Sequence, residues 1–253
     1  DEGGRAGASL PKVDRSEVIS CMPGLVYVPD FINSAEQDSL VNEVDKRRWS
    51  GGEERVVSRS RASGGGAPIK TKVKIVTRRE QEYGFTYDEE RHSLAVLDDA
   101  LPPFFELLTK KFDLHSKTEL EKSLPRRYGF NQVTVRELMP GQGVAPYTEK
   151  PYAYDEVICL VSLVSACKID FVNVCDSRVF SVVVEPGSLL VISGEARYRW
   201  MYGVSPARVH TCGPKTITRR RYISFTFRKA LSVLASLVQP EEDPELVPTS
   251  SWG

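Results

Sequence analysis

The chain has 253 residues with 34 basic and 34 acidic side chains, so its formal net charge is zero. This balance excludes a basic field over the whole molecule and leaves only local clusters of charge for nucleic-acid contact. Hydrophobic residues make up 41% of the chain, which is typical of a globular protein, and no apolar run reaches the roughly 20 residues that a membrane-spanning helix needs. We therefore expect no membrane partner.

The amino-terminal elements are weakly marked. Residues 1–21 are rich in Gly, Ser and charge, which predicts an extended or disordered lead-in. GLVYVPDF (24–31) predicts a short strand that runs into a turn. Ser34 and Gln37 have the spacing of a capping box, which predicts that a helix begins there.

The next segment has few regular signals. Residues 50–68 are rich in Gly and Ser and show no periodicity, which predicts a mobile loop. VKIVTRR (73–79) predicts a strand that leaves this loop. Residues 91–112 predict helix, with a break or a new start at Pro102 and Pro103.

Residues 128–228 have a different character. Runs of β-branched and aromatic residues follow one another, separated by Gly, Pro, Asn and Asp, which predicts a sandwich or a barrel. Residues 229–238 predict a short final helix, and residues 239–253 form an acidic, proline-rich tail. The fold class is therefore α+β and mainly β, with one domain over residues 22–238.

This β-rich part contains the segments PGQGVAP (140–146), DEVICLVSL (155–163), GSLLVISGEARYRW (187–200) and SFTFRK (224–229). In this order they resemble the AlkB-like iron(II)/2-oxoglutarate dioxygenases, in particular their eukaryotic tRNA-modifying members. The resemblance implies a double-stranded β-helix (jelly-roll) core over residues 128–228, with supporting helices in front of it. It also implies a lid-like nucleotide-recognition region over residues 50–90.

The family binds iron through two histidines and a carboxylate. By resemblance, these positions hold Tyr147, Glu149 and Tyr202, so none keeps the family residue. A tyrosine can bind a metal as phenolate, but its ordinary pKa of about 10 favours the neutral phenol. We therefore expect no metal and no catalytic residue. An oxygen site of Tyr, Glu and Tyr for a harder ion is the alternative.

The cosubstrate positions are also replaced. By resemblance, Arg136 and Leu138 stand for an Asn and a Tyr, and Tyr222 stands for the arginine that holds the carboxylate of 2-oxoglutarate. Arg228 is retained, and the adjacent Arg221 is expected to point away from the pocket, since successive strand residues face opposite sides. We expect no cofactor and no small-molecule substrate.

The replacing side chains are large. We predict that Tyr147, Tyr202 and Tyr222 fill the emptied pocket and hydrogen-bond one another. Glu149 then needs a hydrogen-bond partner or a raised pKa, because an unpaired buried carboxylate is costly.

Other catalytic patterns are missing. The three histidines stand apart, without the spacing of metal ligands, and the five cysteines lack CxxC spacing, which indicates reduced thiols and no zinc site. These residues are His92, His115 and His210, with Cys21, Cys159, Cys167, Cys175 and Cys212.

Three basic clusters are candidate RNA contacts. The first consists of Arg55, Arg59, Arg61, Lys70, Lys72, Lys74, Arg78 and Arg79. The others are Arg126 with Arg127, and Arg219 with Arg220, next to Arg221. A basic segment spaced by Gly and Ser suits phosphate contact, whereas a solvated charged loop is the plainer alternative. The neighbouring Tyr83, Phe85 and Tyr87 either stack on a base or pack a strand against the core.

These observations predict a catalytically inactive AlkB-like domain that serves as a structural or RNA-contacting subunit of a larger ribonucleoprotein, such as a mitochondrial ribosome or an RNA-processing complex. Its partners would be other proteins of the assembly and RNA. The alternatives are an active nucleic-acid oxygenase with a Tyr/Glu/Tyr site and a scaffold that binds only proteins.

The prediction of the cellular compartment is based on the first residues of the sequence. It begins at Asp1 rather than Met, with a Gly-rich opening unlike a signal peptide, as in a mature organellar protein or a shortened chain. We expect a mitochondrial protein, with the cytoplasm and the nucleus as alternatives. The final helix and tail are candidates for docking onto another protein.

Overall fold

A computed structural model of the chain describes residues 22–63, 66–88, 90–97, 100–116 and 129–231, without the side chains of residues 54–76 and 114–116. The amino-terminal strands are β1 (Leu25–Val28), β2 (Ser50–Gly51), β3 (Glu54–Ser63), β4 (Gly66–Val76), β5 (Arg79–Tyr83), β6 (Phe85–Asp88) and β7 (Ser93–Val96). The later strands are β8 (Gln132–Leu138), β9 (Val144–Tyr147), β10 (Ile158–Leu163), β11 (Cys167–Asn173), β12 (Val179–Val184), β13 (Leu189–Ile192), β14 (Trp200–Val204), β15 (Val209–Cys212), β16 (Lys215–Thr218) and β17 (Tyr222–Arg228). The helices are α1 (Ser34–Asp45), α2 (Glu106–Ser116) and α3 (Gly194–Tyr198), with a 3-10 turn at Pro103–Phe105.

Two antiparallel sheets form the core. The larger has the order β1-β13-β10-β17-β8-β5-β2, and the smaller has the order β12-β11-β14-β9. The chain crosses between the sheets after β8, β9, β10, β12, β13 and β14, which is a jelly-roll arrangement. The expected double-stranded β-helix is confirmed.

The burial pattern of the strands explains the two layers. In β11, Cys167, Ile169 and Phe171 face the space between the sheets and alternate with less buried residues, as expected for a sheet with one outer face near solvent. In β17 every residue is buried, because helices cover the outer face of the larger sheet. Leu40 of α1 and Phe112 of α2 belong to a second hydrophobic layer, which lies between the helices and the outer face of the larger sheet.

The N-cap of helix α1 lies one residue earlier than the sequence predicts. The N-cap is Asn33, whose side chain accepts from the backbone N–H of Glu36 at 2.9 Å, and the Glu36 carboxylate accepts from the N–H of Asn33 at 2.8 Å. Ser34 and Gln37, the predicted capping pair, lie inside the helix. Asn and Glu satisfy the same two backbone donors, so the correction changes the cap and not the helix.

The region predicted as a mobile loop is a β-hairpin. Strands β3 and β4 pair antiparallel from Glu54 with Val76 to Ser63 with Gly66, and they form a sheet of their own. The loop prediction for residues 50–68 was wrong because glycine content was weighed above the Val and Ile residues that favour strands on both sides of the turn.

Helix prediction over residues 91–112 was correct only in its second half. Ser93–Val96 is strand β7, paired with β6, and the helical part begins at the prolines as expected. Of the predicted final helix, Ala230 forms a β-bridge with Tyr154, and residues 232–253 lie outside the described residues, as do residues 1–21. No helix among the described residues is long and apolar enough to cross a membrane.

Candidate functional site

The structure brings together the two tyrosines at the expected histidine positions. Strands β9 and β14 pair with Tyr147 directly opposite Tyr202. Their ring centroids are 5.0 Å apart and their hydroxyl oxygens 3.3 Å apart. Residues opposite each other on one face of an antiparallel pair have neighbouring side chains, so the strand register alone creates this contact.

Glu149 lies just beyond β9 and is only 5% exposed. One of its carboxylate oxygens, Oε1, accepts hydrogen bonds from the Tyr202 hydroxyl, from the Tyr147 hydroxyl at 3.2 Å and from Arg228 Nη2 at 2.6 Å. Burial by itself would raise the pKa of Glu149, but the positive charge of Arg228 and the hydrogen bonds from Arg228 and Tyr202 outweigh it and lower the pKa. The predicted need for a partner is therefore met by an ion pair.

Arg228 is held on its other side as well. Its Nη1 donates to Gln132 Oε1 and to Thr134 Oγ1, both at 2.8 Å, and its guanidinium lies 5.2 Å from the centroid of the Tyr154 ring. Burial opposes the charge of Arg228, but Glu149 outweighs it, so the pKa of Arg228 is raised well above its ordinary value. The pair is thus fully charged at neutral pH.

Tyr202 is a poor metal ligand in this setting. Burial raises its pKa well above the ordinary value, and the negative charge of Glu149 raises it further. A phenol that keeps its proton offers a metal only a weak neutral oxygen. The Glu149 carboxylate, which is the one charged donor of the three positions, is already neutralised by Arg228.

The residues at the expected cosubstrate positions are buried or bonded to other residues of the chain. Arg136 donates from Nε to Glu80 at 2.6 Å and from Nη1 to the Tyr147 hydroxyl at 3.3 Å. Leu138 and Tyr222 are buried. The Tyr222 hydroxyl shares a 3.0 Å hydrogen bond with Ser162, so the prediction that all three tyrosines bond to one another was wrong for Tyr222.

Little space remains between these side chains. Tyr147, Tyr202 and Tyr222 line a common cavity of about 20 Å³. Sites for small molecules usually have volumes of about 300–1,000 Å³, whereas about 20 Å³ holds one or two water molecules. The residues present therefore do not fit iron with 2-oxoglutarate: the carboxylate is paired, the Tyr202 phenol keeps its proton and the cavity is too small.

The β6–β7 hairpin covers the same end of the sandwich. Phe85, Tyr87 and Leu94 pack against the hydrophobic layer between the sheets. The Tyr87 hydroxyl lies 2.9 Å from the Tyr152 hydroxyl, and Lys150 Nζ lies 3.7 Å from the centroid of the Tyr87 ring. Of the two interpretations for Phe85 and Tyr87, packing against the core is therefore the one that the structure supports.

The three consecutive arginines of the third basic cluster have different surroundings. Arg219 is 2% exposed, with Nη1 3.3 Å from His210 Nε2, so its prediction as an RNA contact was wrong. Arg221 donates to Glu137 at 2.7 Å and to Asp45, and it points away from the pocket as predicted. Arg220 is exposed.

The first basic cluster is only partly described. The backbone of Arg55, Arg59, Arg61, Lys70, Lys72 and Lys74 lies in β3 and β4, and their side chains fall outside the description. Arg78 pairs with Glu80 at 2.7 Å, and Arg79 pairs with Glu137 at 2.6 Å. Arg126 and Arg127 lie outside the described residues.

The histidines and cysteines provide no second site within the described part of the chain. No three His, Cys, Asp or Glu residues there are placed to hold a metal ion. His210 is buried and hydrogen-bonds with the Ser205 carbonyl at 3.0 Å, and burial lowers its pKa, so its ring is neutral at pH 7. The cysteines in that part are free thiols, namely Cys159, Cys167, Cys175 and Cys212.

Sequence reasoning missed the residues that hold Arg228. Gln132 is the register partner of Arg228 across β8 and β17, and Thr134 lies two residues further on the same face. Polar residues at alternate positions of the otherwise apolar run QVTVREL were the available signal, but they identify a partner only once the strand pairing is known.

Similarity to known proteins agrees with this architecture. No family model matches the chain. It is 26% identical over 246 residues to the alkylated DNA repair protein ALKBH8 homolog of Arabidopsis thaliana, covering 87% of this chain and 62% of that protein. It is 24% identical over 244 residues to the tRNA (carboxymethyluridine(34)-5-O)-methyltransferase alkbh8 of Xenopus tropicalis, covering 87% of this chain but only 34% of that protein.

The fold has a counterpart among solved structures. The structure of OsALKBH1 superposes with a TM-score of 0.55 at 16% identity, over 82% of this chain and 97% of the other. At that identity the likeness concerns the fold. In both sequence and fold, the chain is therefore similar to AlkB-like proteins.

Proposed function

We propose that this protein is a catalytically inactive AlkB-like domain that serves as a structural or RNA-contacting subunit of a larger ribonucleoprotein assembly. The observation that carries the first half of the proposal is the buried ion pair between Glu149 and Arg228. Arg228 supplies within the chain the positive charge that a metal would supply to a carboxylate ligand.

The chemistry of the surrounding groups supports the loss of catalysis. Tyr147 and Tyr202 replace imidazoles, which bind a borderline metal such as iron(II) far better than phenols do. Tyr222 replaces the guanidinium that would hold a cosubstrate carboxylate, and a cavity of about 20 Å³ leaves no room for the cosubstrate. Metal binding, cosubstrate binding and access of a nucleotide would each need a rearranged interior.

Metal and cosubstrate binding test this part. The purified protein is titrated calorimetrically with manganese(II), an iron(II) substitute that air does not oxidise, with and without 2-oxoglutarate, and its metal content is measured. We expect neither stoichiometric metal nor cosubstrate heat. Stoichiometric binding would overturn the proposal in favour of the Tyr/Glu/Tyr oxygenase, and loss of that binding in Glu149→Gln would locate the site.

The RNA-contacting role is based on the β3–β4 hairpin. Residues 54–76 contain six basic residues against the single acidic Glu54, in a chain whose net charge is zero. The Xenopus relative is named as a tRNA methyltransferase, which supports RNA as the polymer. Clustered cations bind phosphate with release of counterions, so the affinity should fall steeply with salt.

Salt-dependent RNA binding separates this role from that of a scaffold that binds only proteins. We expect the logarithm of the association constant for RNA to fall linearly with the logarithm of salt, with a slope reduced by about 3 in Lys70→Gln/Lys72→Gln/Lys74→Gln. Lys110→Gln is the matched control, since Lys110 is exposed but paired with Glu106 at 2.9 Å. Absence of RNA binding near 0.15 M salt would favour the protein-only scaffold.

The assembly itself is a further part of the proposal. We propose a mitochondrial ribosome or RNA-processing complex, in which the domain contacts neighbouring proteins as well as RNA. Affinity purification of the tagged protein with and without ribonuclease would test it. Recovery of a defined set of proteins that depends on intact RNA is the expected result, and recovery of the tagged protein alone would contradict it.

A further inference from the structure

Four exposed arginines of the described residues, namely Arg48, Arg199, Arg208 and Arg220, have no carboxylate partner within that part of the chain, and two of them lie close together. Surface basic side chains commonly have a carboxylate within 4 Å here, as in the pairs Arg78 with Glu80, Arg91 with Asp88, Arg178 with Asp176 and Lys229 with Asp155. Arg208 and Arg220 are exposed, and neither has such a partner among the residues that the structure describes. Their charges are therefore available to an external anion.

Arg208 and Arg220 lie close together. Arg208 directly precedes β15 and Arg220 follows β16 by two residues, and these two strands pair from Val209 with Thr218 onward. The backbone N–H of Arg219 donates to the Arg208 carbonyl at 2.9 Å, which continues the pairing by one residue. Both arginines thus stand at the same end of this small hairpin.

The PGQG loop connects this end to the root of the basic β3–β4 hairpin. On one side of the loop, the Gly141 N–H donates to the Ala207 carbonyl at 3.3 Å. On the other side, Gln142 Nε2 donates to the carbonyl of Thr77, the residue after β4, at 3.1 Å. These two hydrogen bonds join the loop to the residue before Arg208 and to the residue after β4, so Arg208 lies near the base of the hairpin with the largest cluster of positive charge.

This surface lies away from the ion pair of Glu149 and Arg228. The PGQG loop precedes β9, whereas Glu149 follows it, so the two features are at opposite ends of that strand. A four-residue strand spans roughly 13 Å. A partner on this surface would not need access to the end of the sandwich that the β6–β7 hairpin covers.

The surface is rich in cations but poor in aromatic rings. Residues 54–76 contain no Phe, Trp or Tyr. The exposed Tyr152 and Tyr198 are at the other end of β9. The Tyr152 hydroxyl hydrogen-bonds with Tyr87 of the β6–β7 hairpin. Tyr198 follows Arg197, which donates to the Glu149 carbonyl at 2.5 Å. Single-stranded RNA is held largely by stacking of its bases on aromatic side chains, whereas double-helical RNA is recognised through its phosphates and its shape.

We infer that the β3–β4 hairpin, Arg208 and Arg220 form one continuous surface that binds the phosphate backbone of a double-helical RNA segment. This inference rests on the proposed RNA contact and specifies its location and the form of the RNA. It adds Arg208, which the sequence did not single out, and it excludes the buried Arg219 and the internally paired Arg221.

Binding of two RNAs of equal length tests the inference: a stem of about 16 base pairs, the span of a typical double-stranded RNA contact, and an unstructured single strand. Fluorescence anisotropy is measured over a series of salt concentrations for the wild type, for Arg208→Gln/Arg220→Gln and for Arg199→Gln. Arg199 is the matched control, because it is exposed, lacks a carboxylate partner among the described residues and lies beside α3 at the opposite end of β14.

We expect the wild type to bind the stem more tightly than the single strand. The double variant should bind the stem more weakly, with a salt slope reduced by about 2, and Arg199→Gln should behave as the wild type. Equal melting temperatures of the three proteins exclude misfolding as the cause.

The other outcomes separate the two proposals. If the wild type binds neither RNA, the proposed RNA contact fails, and this inference fails with it. If the wild type binds RNA but prefers the single strand, or if the double variant and Arg199→Gln are equally affected, only this inference is overturned.

Discussion

Arginines near the two ends of β9 differ in burial and in pairing with carboxylates. Beyond the carboxyl end, Arg228 is buried against Glu149, and Arg136 is largely buried against Glu80. Before the amino end, Arg208 and Arg220 are exposed without a carboxylate partner among the described residues. The buried arginines at one end are therefore paired with carboxylates, whereas at the other end Arg208 and Arg220 are exposed on either side of the buried Arg219.

The cost of removing charge from water explains this difference. A buried cation without a compensating charge is strongly unfavourable, and the fully buried Arg228 meets this requirement with the Glu149 carboxylate at 2.6 Å. An exposed arginine remains hydrated and needs no partner for the fold. An unpaired surface arginine is therefore a better candidate for a binding role than a paired one, however basic the sequence around it.

Removal of Arg228 should have the largest effect. Arg228→Met leaves Glu149 buried without its ion pair and Gln132 without its donor, which should lower the free energy of unfolding by about 3–5 kcal/mol. Urea denaturation at pH 7 measures it. The double variant Arg228→Met/Glu149→Leu should recover much of the loss, because it leaves no unpaired charge. A loss below about 1 kcal/mol in the single variant would contradict the central role of the ion pair.

Removal of a tyrosine hydroxyl should have the next largest effect on the free energy of unfolding. Tyr202→Phe removes a hydrogen bond to the charged Glu149 and should lower the free energy of unfolding by about 1.5–3 kcal/mol. Tyr222→Phe removes a bond between two neutral hydroxyls, with Ser162, and should cost about 1 kcal/mol. Unfolding curves of the two variants test this order, and an equal or reversed effect would contradict the described network.

Acid should weaken the ion pair. The pKa of Glu149 is lowered below its ordinary value of 4.5, so its contribution to stability is fully present above that pH and is lost as the pH falls through the lowered pKa. The difference in unfolding free energy between wild type and Glu149→Gln should therefore be largest near pH 7 and shrink below pH 4.5. Glu106→Gln, at an exposed surface pair, is the control and should show little difference at any pH.

Substitution of Arg221 should have the smallest effect on the free energy of unfolding, and its comparison with Arg220 separates stability from RNA binding. Arg221→Gln removes partly exposed ion pairs with Asp45 and Glu137 and should lower the free energy of unfolding by about 1 kcal/mol, without changing the salt slope of RNA binding. Arg220→Gln should do the reverse. If both variants change the slope equally, pairing does not distinguish binding arginines from structural ones.

Local sequence patterns determined most of the core. Runs of β-branched and aromatic residues separated by turn residues predicted the strands from β8 onward, because alternating burial in a sheet leaves a local signature. The family motifs located Tyr147, Glu149 and Tyr202, and the strand register confirmed that the two tyrosines meet. Glycine content misled the prediction only where it outweighed the strand-forming residues of β3 and β4.

Tertiary structure alone decided what each charged residue does. Glu149 and Arg228 are far apart in the chain, and they meet only because β9 and β17 belong to facing sheets. Arg219, Arg220 and Arg221 are neighbours in sequence, yet the first is buried, the second exposed and the third paired with Asp45 and Glu137. A charge acquires its role from long-range packing, which sets its hydration and its partner, and local sequence records neither.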